Sequence, residues 1–142
     1  MRHTVQKPIA SLMAVGLLLL AACSTAEVEP GPITSFDDIA GTIYQRQRPG
    51  APWYELYFDD GTFHASMNRD LVEESPSVIA ENRFEGTKIF YHAIKNTCDG
   101  NPDAIYEIHL LENGNLQYVA IEDPCSIRLN TFEAEAGWAP VP

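Results

Sequence analysis

Three dipeptides constrain this chain more than any other feature: Asp60-Gly61, Glu85-Gly86 and Asn113-Gly114. Each sits between two runs rich in aromatic and β-branched residues, the pattern of a tight β-hairpin. From Phe36 onward such runs recur, broken by Gly, Pro, Asn and Asp. The spacing predicts eight strands, at about 40–47, 53–58, 62–67, 78–84, 87–94, 104–111, 115–122 and 126–132. A short helix is expected over 69–75, with Asn68 as its cap.

The turns also propose registers. Taking Asp60-Gly61 as a two-residue loop puts Phe58 opposite Phe63, Leu56 opposite Ala65 and Tyr54 opposite Met67. The alternate pairs are Tyr57 with His64 and Glu55 with Ser66. Around Asn113-Gly114 the same count sets Ile108 against Val119 and Tyr106 against Ile121, with His109 meeting Tyr118 and Glu107 meeting Ala120. Each hairpin then sorts into an apolar and a mostly polar face, as a half-buried ribbon requires. The Glu85-Gly86 hairpin sorts less cleanly, since Phe90 and Ile94 share a face with Lys88 and His92.

Tight turns join strands 2–3, 4–5 and 6–7, and longer segments join the rest. In an up-and-down sheet all tight turns fall at one end and all long connections at the other. The fold class expected is therefore all-β, a small eight-stranded antiparallel up-and-down barrel.

The N-terminus reads separately. Arg2, His3 and Lys7 precede an apolar run, Leu12 to Leu20, too short to span a bilayer comfortably, and small residues follow. This is the order of a secretory signal. The run Leu20-Ala21-Ala22-Cys23 resembles the lipobox of bacterial lipoproteins. That resemblance implies cleavage before Cys23 and lipid on its sulfur, with membrane contact through the lipid. Two or three acyl chains hold firmly where one holds marginally. Ser24, in place of an aspartate, leans towards the outer membrane if the host has one, and otherwise towards the outer face of the cell membrane. The organisation expected is a signal over 1–22, a lipidated start and tether over 23–35, a barrel domain over 36–133 and a tail over 134–142.

Charge and cysteines follow from that leader. The whole chain carries −11, and removing Arg2 and Lys7 with the leader leaves −13. Such a body argues against nucleic acid as a partner, because phosphates need Lys and Arg, and against electrostatic contact with anionic lipid. Of the three cysteines, Cys23 goes to lipid, which leaves Cys98 and Cys125. Export places them in an oxidising setting, where a disulfide is the default. Both fall at the long-connection end of the barrel, so they can meet.

The strand count, Asp38-Ile39-Ala40-Gly41-Thr42-Ile43 in strand 1 and Arg128 in strand 8 resemble the lipocalin-like (calycin) proteins. That family carries Gly-x-Trp in strand 1 and a late arginine packed on the Trp. Here Gly41 fits, Ile43 holds the Trp position, and Arg128 would be the arginine. The chain is also similar to small bacterial lipoproteins with Gly61-Thr62-Phe63, Phe84-Glu85-Gly86-Thr87, Leu110 to Leu116, and Asp123-Pro124-Cys125-Ser126-Ile127-Arg128.

No enzyme, cofactor or metal is expected. His64, His92 and His109 sit mid-strand on separate strands, with His64 and His109 facing outward, and the many carboxylates form no convergent pair. The lipocalin resemblance implies binding of a small apolar molecule. Its wall would be Tyr54, Leu56, Phe58, Phe63, Met67, Tyr106, Ile108, Val119 and Ile121, with Trp53 at the mouth as lid or as packing for its loop. Trp138 would cover a barrel end. An eight-stranded barrel is just wide enough for side chains or one small ligand, so the same residues could simply fill it. The rival reading is an envelope interaction or structural module with a solid interior and an unidentified protein partner.

Overall fold

A computed structural model describes residues 30–142. The expected leader, the lipobox, Cys23 and most of the tether lie outside the described residues. The strands are β1 (Gly31–Pro32), β2 (Ile43–Arg46), β3 (Tyr54–Tyr57), β4 (Thr62–Ser66), β5 (Val78–Glu85), β6 (Lys88–Lys95), β7 (Asp103–Leu110), β8 (Leu116–Glu122) and β9 (Trp138–Val141), with one helix, α1 (Ser126–Phe132). Strands β2 to β9 pair in succession, all antiparallel, and β9 returns to β2, closing an eight-stranded barrel. This is the architecture that the lipocalin resemblance implies. No helix among the described residues is long and apolar enough to cross a membrane.

Two expectations about elements need correction. Residues 126–132 are a helix, not the eighth strand. The closing strand is Trp138–Val141, inside the segment read as a tail, and it pairs with β2 from Ile43↔Val141 to Arg46↔Trp138. Arg128 and Phe132, the buried residues of α1, are four apart and share one helical face. Over 69–75 only Arg69–Leu71 is helical, a single 3-10 turn, and Asn68 does cap it by accepting from the Asp70 N–H.

Two registers also differ by one residue. In the first hairpin Tyr57 pairs with Phe63, Leu56 with His64 and Glu55 with Ala65. In the last, Leu110 pairs with Leu116, Ile108 with Tyr118 and Glu107 with Val119. Both loops hold a third residue. The N–H of Gly61 bonds the Phe58 carbonyl and that of Phe58 the Thr62 carbonyl, and Leu111, Gly114 and Asn115 repeat the pattern. Gly61 and Gly114 sit at φ +86° and +81°, the left-handed third position of a type I turn with a bulge. The middle hairpin pairs Glu85 with Lys88, leaving Gly86-Thr87 as a two-residue turn.

Both barrel ends are closed. At the tight-turn end β1 pairs with β7, and the segment after it delivers Ile33, Phe36 and Ile39. The Phe36 ring lies 4.8 Å from Phe84 and 6.1 Å from Tyr57, centre to centre. At the other end α1 lowers Phe132 into the barrel, and the Cys98–Cys125 disulfide pins the start of that helix.

Candidate functional site

The barrel interior is an aromatic cluster centred on Phe132. Its ring lies 4.7 Å from Tyr118, 5.2 Å from Tyr106, and 5.8 Å from both Phe63 and Tyr91. Trp138, expected over a barrel end, is a wall residue 6.1 Å from the same ring, and its indole N–H donates to the Phe132 carbonyl at 3.2 Å. All six of these side chains are buried.

Of the expected binding wall, Phe63, Tyr106 and Ile108 face this interior. The shifted registers move the rest, except Met67, which lies past the end of β4. Leu56 is buried but stands outside the main core cluster. Tyr54 and Phe58 are half-buried on the outward face of β3 and its turn. Met67, Val119 and Ile121 are 50%, 43% and 46% exposed. Trp53 packs against the core at the long-connection end. In place of the displaced residues the interior receives Tyr57, Tyr118, Leu116 and Glu55.

Glu55 is the residue that the sequence reading missed. Polar alternation had set it outward beside Ser66; instead it is fully buried. Tyr118 donates to Glu55 Oε1 at 2.6 Å, and the Tyr57 hydroxyl lies 2.8 Å from that of Tyr118. The run is therefore Tyr57 to Tyr118 to Glu55. Glu55 Oε2 has no partner among the described residues. Burial pushes the Glu55 carboxyl well above the usual carboxylate range, and the Tyr118 hydrogen bond opposes this only in part. The Tyr57 and Tyr118 phenols are likewise pushed up, first by burial and then by the neighbouring carboxylate. Burial thus favours the protonated form of Glu55 and of both phenols.

A second polar knot ties α1 to the wall. Arg128 donates to Asp123 at 2.7 and 2.9 Å and to the carbonyls of Asn101 and Asp103 at 2.9 and 2.8 Å. Its guanidinium lies over the Tyr91 ring, 5.1 Å from the centre. Tyr106 donates to the same carboxylate. Burial raises the Asp123 carboxyl, but hydrogen bonds from Arg128, Tyr106 and the Cys125 N–H outweigh it and hold it below its ordinary value. Arg128, expected on strand 8 as the late arginine of the resemblance, sits instead on a helix and stacks on Tyr91 rather than on a strand-1 residue.

Beside α1 an apolar cleft of about 100 Å³ remains, lined by Trp53, Val78, Asn96, Ile127, Thr131 and Phe132 among others. The histidines point elsewhere and apart. His64 bonds the Val72 carbonyl at 3.1 Å, His92 the Asp103 carboxylate at 2.7 Å and His109 that of Glu107 at 3.3 Å.

The chain matches no known family model, no curated protein and no solved structure. Its likeness to lipocalin-like barrels is one of architecture.

Proposed function

We propose that this chain is a lipid-anchored, extracytoplasmic interaction or structural module of the cell envelope, its barrel a filled scaffold. The observation that carries this reading is Phe132, which occupies the space a lipocalin-like ligand would need. The cleft left beside it, about 100 Å³, is far below the ~300 Å³ at which small-molecule sites begin. The anchor rests on the lipobox resemblance at Cys23, and the disulfide is in keeping with an oxidising compartment.

Two measurements test it. A radiolabelled fatty acid should enter the wild-type chain and not the Cys23→Ala chain. Titrating the Cys23→Ala chain with an apolar fluorophore should give no saturable uptake. Saturable uptake at one molecule per chain would restore the lipocalin-like carrier.

A further inference from the structure

The geometry points to the Cys98–Cys125 disulfide as a thiol-exchange site, opened by a dithiol reductant at the Cys98 sulfur and serving as the clasp of the α1 plug. This goes beyond the interaction-module reading and does not depend on it.

The two cysteines are unequally placed. Cys98 is half-buried and lines the cleft of about 100 Å³ beside α1. Cys125 is 4% exposed and forms no part of that wall. Exchange begins with a thiolate reaching one sulfur of the pair, so access selects which is attacked. The cleft presents Cys98.

Cys125 is then the leaving group, and its surroundings are prepared for that role. Its sulfur caps α1 by accepting from the Arg128 N–H at 3.2 Å. A hydrogen bond to a charged form favours that form. The donor therefore already stands where negative charge develops as the bond breaks. A better stabilised leaving thiolate departs faster.

The exchange runs in two steps. A thiolate of the dithiol attacks Cys98 Sγ, forming a bond from the reductant's sulfur to Cys98. The Cys98–Cys125 bond breaks, and its electron pair leaves on Cys125, which takes a proton from water. The second thiol of the reductant loses its proton to solvent and attacks its own sulfur in the mixed disulfide. Cys98 departs as a thiolate and is protonated. Two electrons have passed to the protein, and the dithiol ends as a disulfide.

What the bond holds makes it a clasp. Asn96, Cys98 and Asp99 adopt φ of 62°, 53° and 53°. Asn and Asp tolerate the left-handed region, whereas a cysteine there is uncommon and stays only where its surroundings impose it. The disulfide ties Cys98 to the residue before α1. Arg128 donates from α1 to the carbonyls of Asn101 and Asp103, in and just after the same loop. Disulfide and knot thus join the same two segments, 96–103 and 123–128. Cutting the bond lets Cys98 leave the left-handed region and frees the loop whose carbonyls hold Arg128. The pairing of β2 with β3 and β9 uses none of these ties.

The test uses the full-length Cys23→Ala chain, folded and without denaturant. Brief treatment with glutathione, quenching with iodoacetamide and peptide mass mapping identify the attacked sulfur. The expected product carries glutathione on Cys98 and the alkyl group on Cys125, in at least tenfold excess over the reverse. With dithiothreitol the reduction rate should rise in proportion to thiol concentration. Thr131→Trp, which narrows the cleft, should slow it at least tenfold; if that variant does not fold, Ile127→Trp at the exposed rim takes its place. After reduction the amides of Ser126–Phe132 should exchange at least tenfold faster than those of β5 to β7, in a chain that still unfolds cooperatively. Glutathione chiefly on Cys125, or a reduction rate fixed by global unfolding whatever the thiol concentration, would overturn the exchange site. Equal exchange over α1 and the strands in the reduced chain would overturn the clasp. Neither result bears on fluorophore uptake by the oxidised chain, which tests the module reading.

Discussion

Glu55 holds its proton more tightly in the folded barrel than in the unfolded chain, because burial disfavours its charge. The sign of its effect follows. Whatever the neutral carboxyl contributes to stability is fully present below the unfolded pKa, about 4.3. It is lost as pH rises from there towards the raised folded value. Glu55→Gln fixes the neutral form, so thermal melts should match wild type near pH 4 and exceed it by a margin that widens up to pH 8. A margin independent of pH would refute this account. Asp123 is the opposite case: its stabilisation is present above the unfolded value and is lost as pH falls through the lowered folded one. Removing its partner leaves a buried charge uncompensated. Arg128→Ala should therefore lose about 3–5 kcal/mol in urea unfolding at pH 7. Arg128→Lys should recover little, since an ammonium lacks the fork that reaches Asp123 and two carbonyls together.

At the scale of elements, the glycine turns decide which face of a strand becomes the core. An added Cβ on Gly61 would sit inside contact distance of the Asn82 carbonyl, whereas one on Gly86 would meet open space. Both glycines have positive φ, so each alanine carries about 1–2 kcal/mol of left-handed strain, and Gly61→Ala adds a clash. Denaturation should show Gly61→Ala clearly less stable than Gly86→Ala; equal losses would mean the Asn82 contact is unimportant. The same turns explain what the sequence reveals and what it hides. The inward faces of β4 and β7 are legible, and Phe63, Tyr106 and Ile108 stand where the hydrophobic pattern sets them. Those of β3 and β8 are inverted, because a third loop residue shifts the pairing by one and swaps inside for outside. Both misread strands satisfy an apolar pattern either way: β3 offers Leu56 or Tyr57, and β8 offers Val119 or Tyr118. The signal that distinguishes them lies in the turn, where the Asp60 and Asn113 side chains accept from the N–H two residues on. The closing strand hides for another reason. Trp138-Ala139-Pro140-Val141 contains a proline, which argues against an inner strand, yet β9 meets β8 through a single pair, Leu116↔Trp138. Past that pair its edge is open and a missing N–H is tolerated. Residues 126–132 show strand-like alternation, but Arg128 and Phe132 at helical spacing turn them into a plug. Phe132→Ala should empty the centre of the aromatic cluster at a loss of about 3–5 kcal/mol, and fluorophore uptake by that variant would show the vacated space directly.

For the whole molecule, the disulfide and the last strand act on the same problem, which is joining distant parts of the chain. Cys98 and Cys125 are 27 positions apart, and closing such a loop limits the unfolded chain enough to stabilise the fold by roughly 3.5 kcal/mol. Cys98→Ser with Cys125→Ser should lower the urea midpoint accordingly and free the start of α1, seen as faster amide exchange over Ser126–Phe132. The β2–β9 pairing spans further still, from Ile43 to Val141. A chain stopped after Gly137 should give no cooperative unfolding transition, since β2 and β8 then each lack the neighbour that closes the barrel. That long-range pairing also sets the order of assembly. A chain made from its front end presents residue 43 long before residue 141, so β3 to β8 can zip one against the next while the seam beside β2 stays open. The cylinder shuts only when Trp138–Val141 arrives. Its last strand is thus a latch, and until it is thrown the rest is an open ribbon.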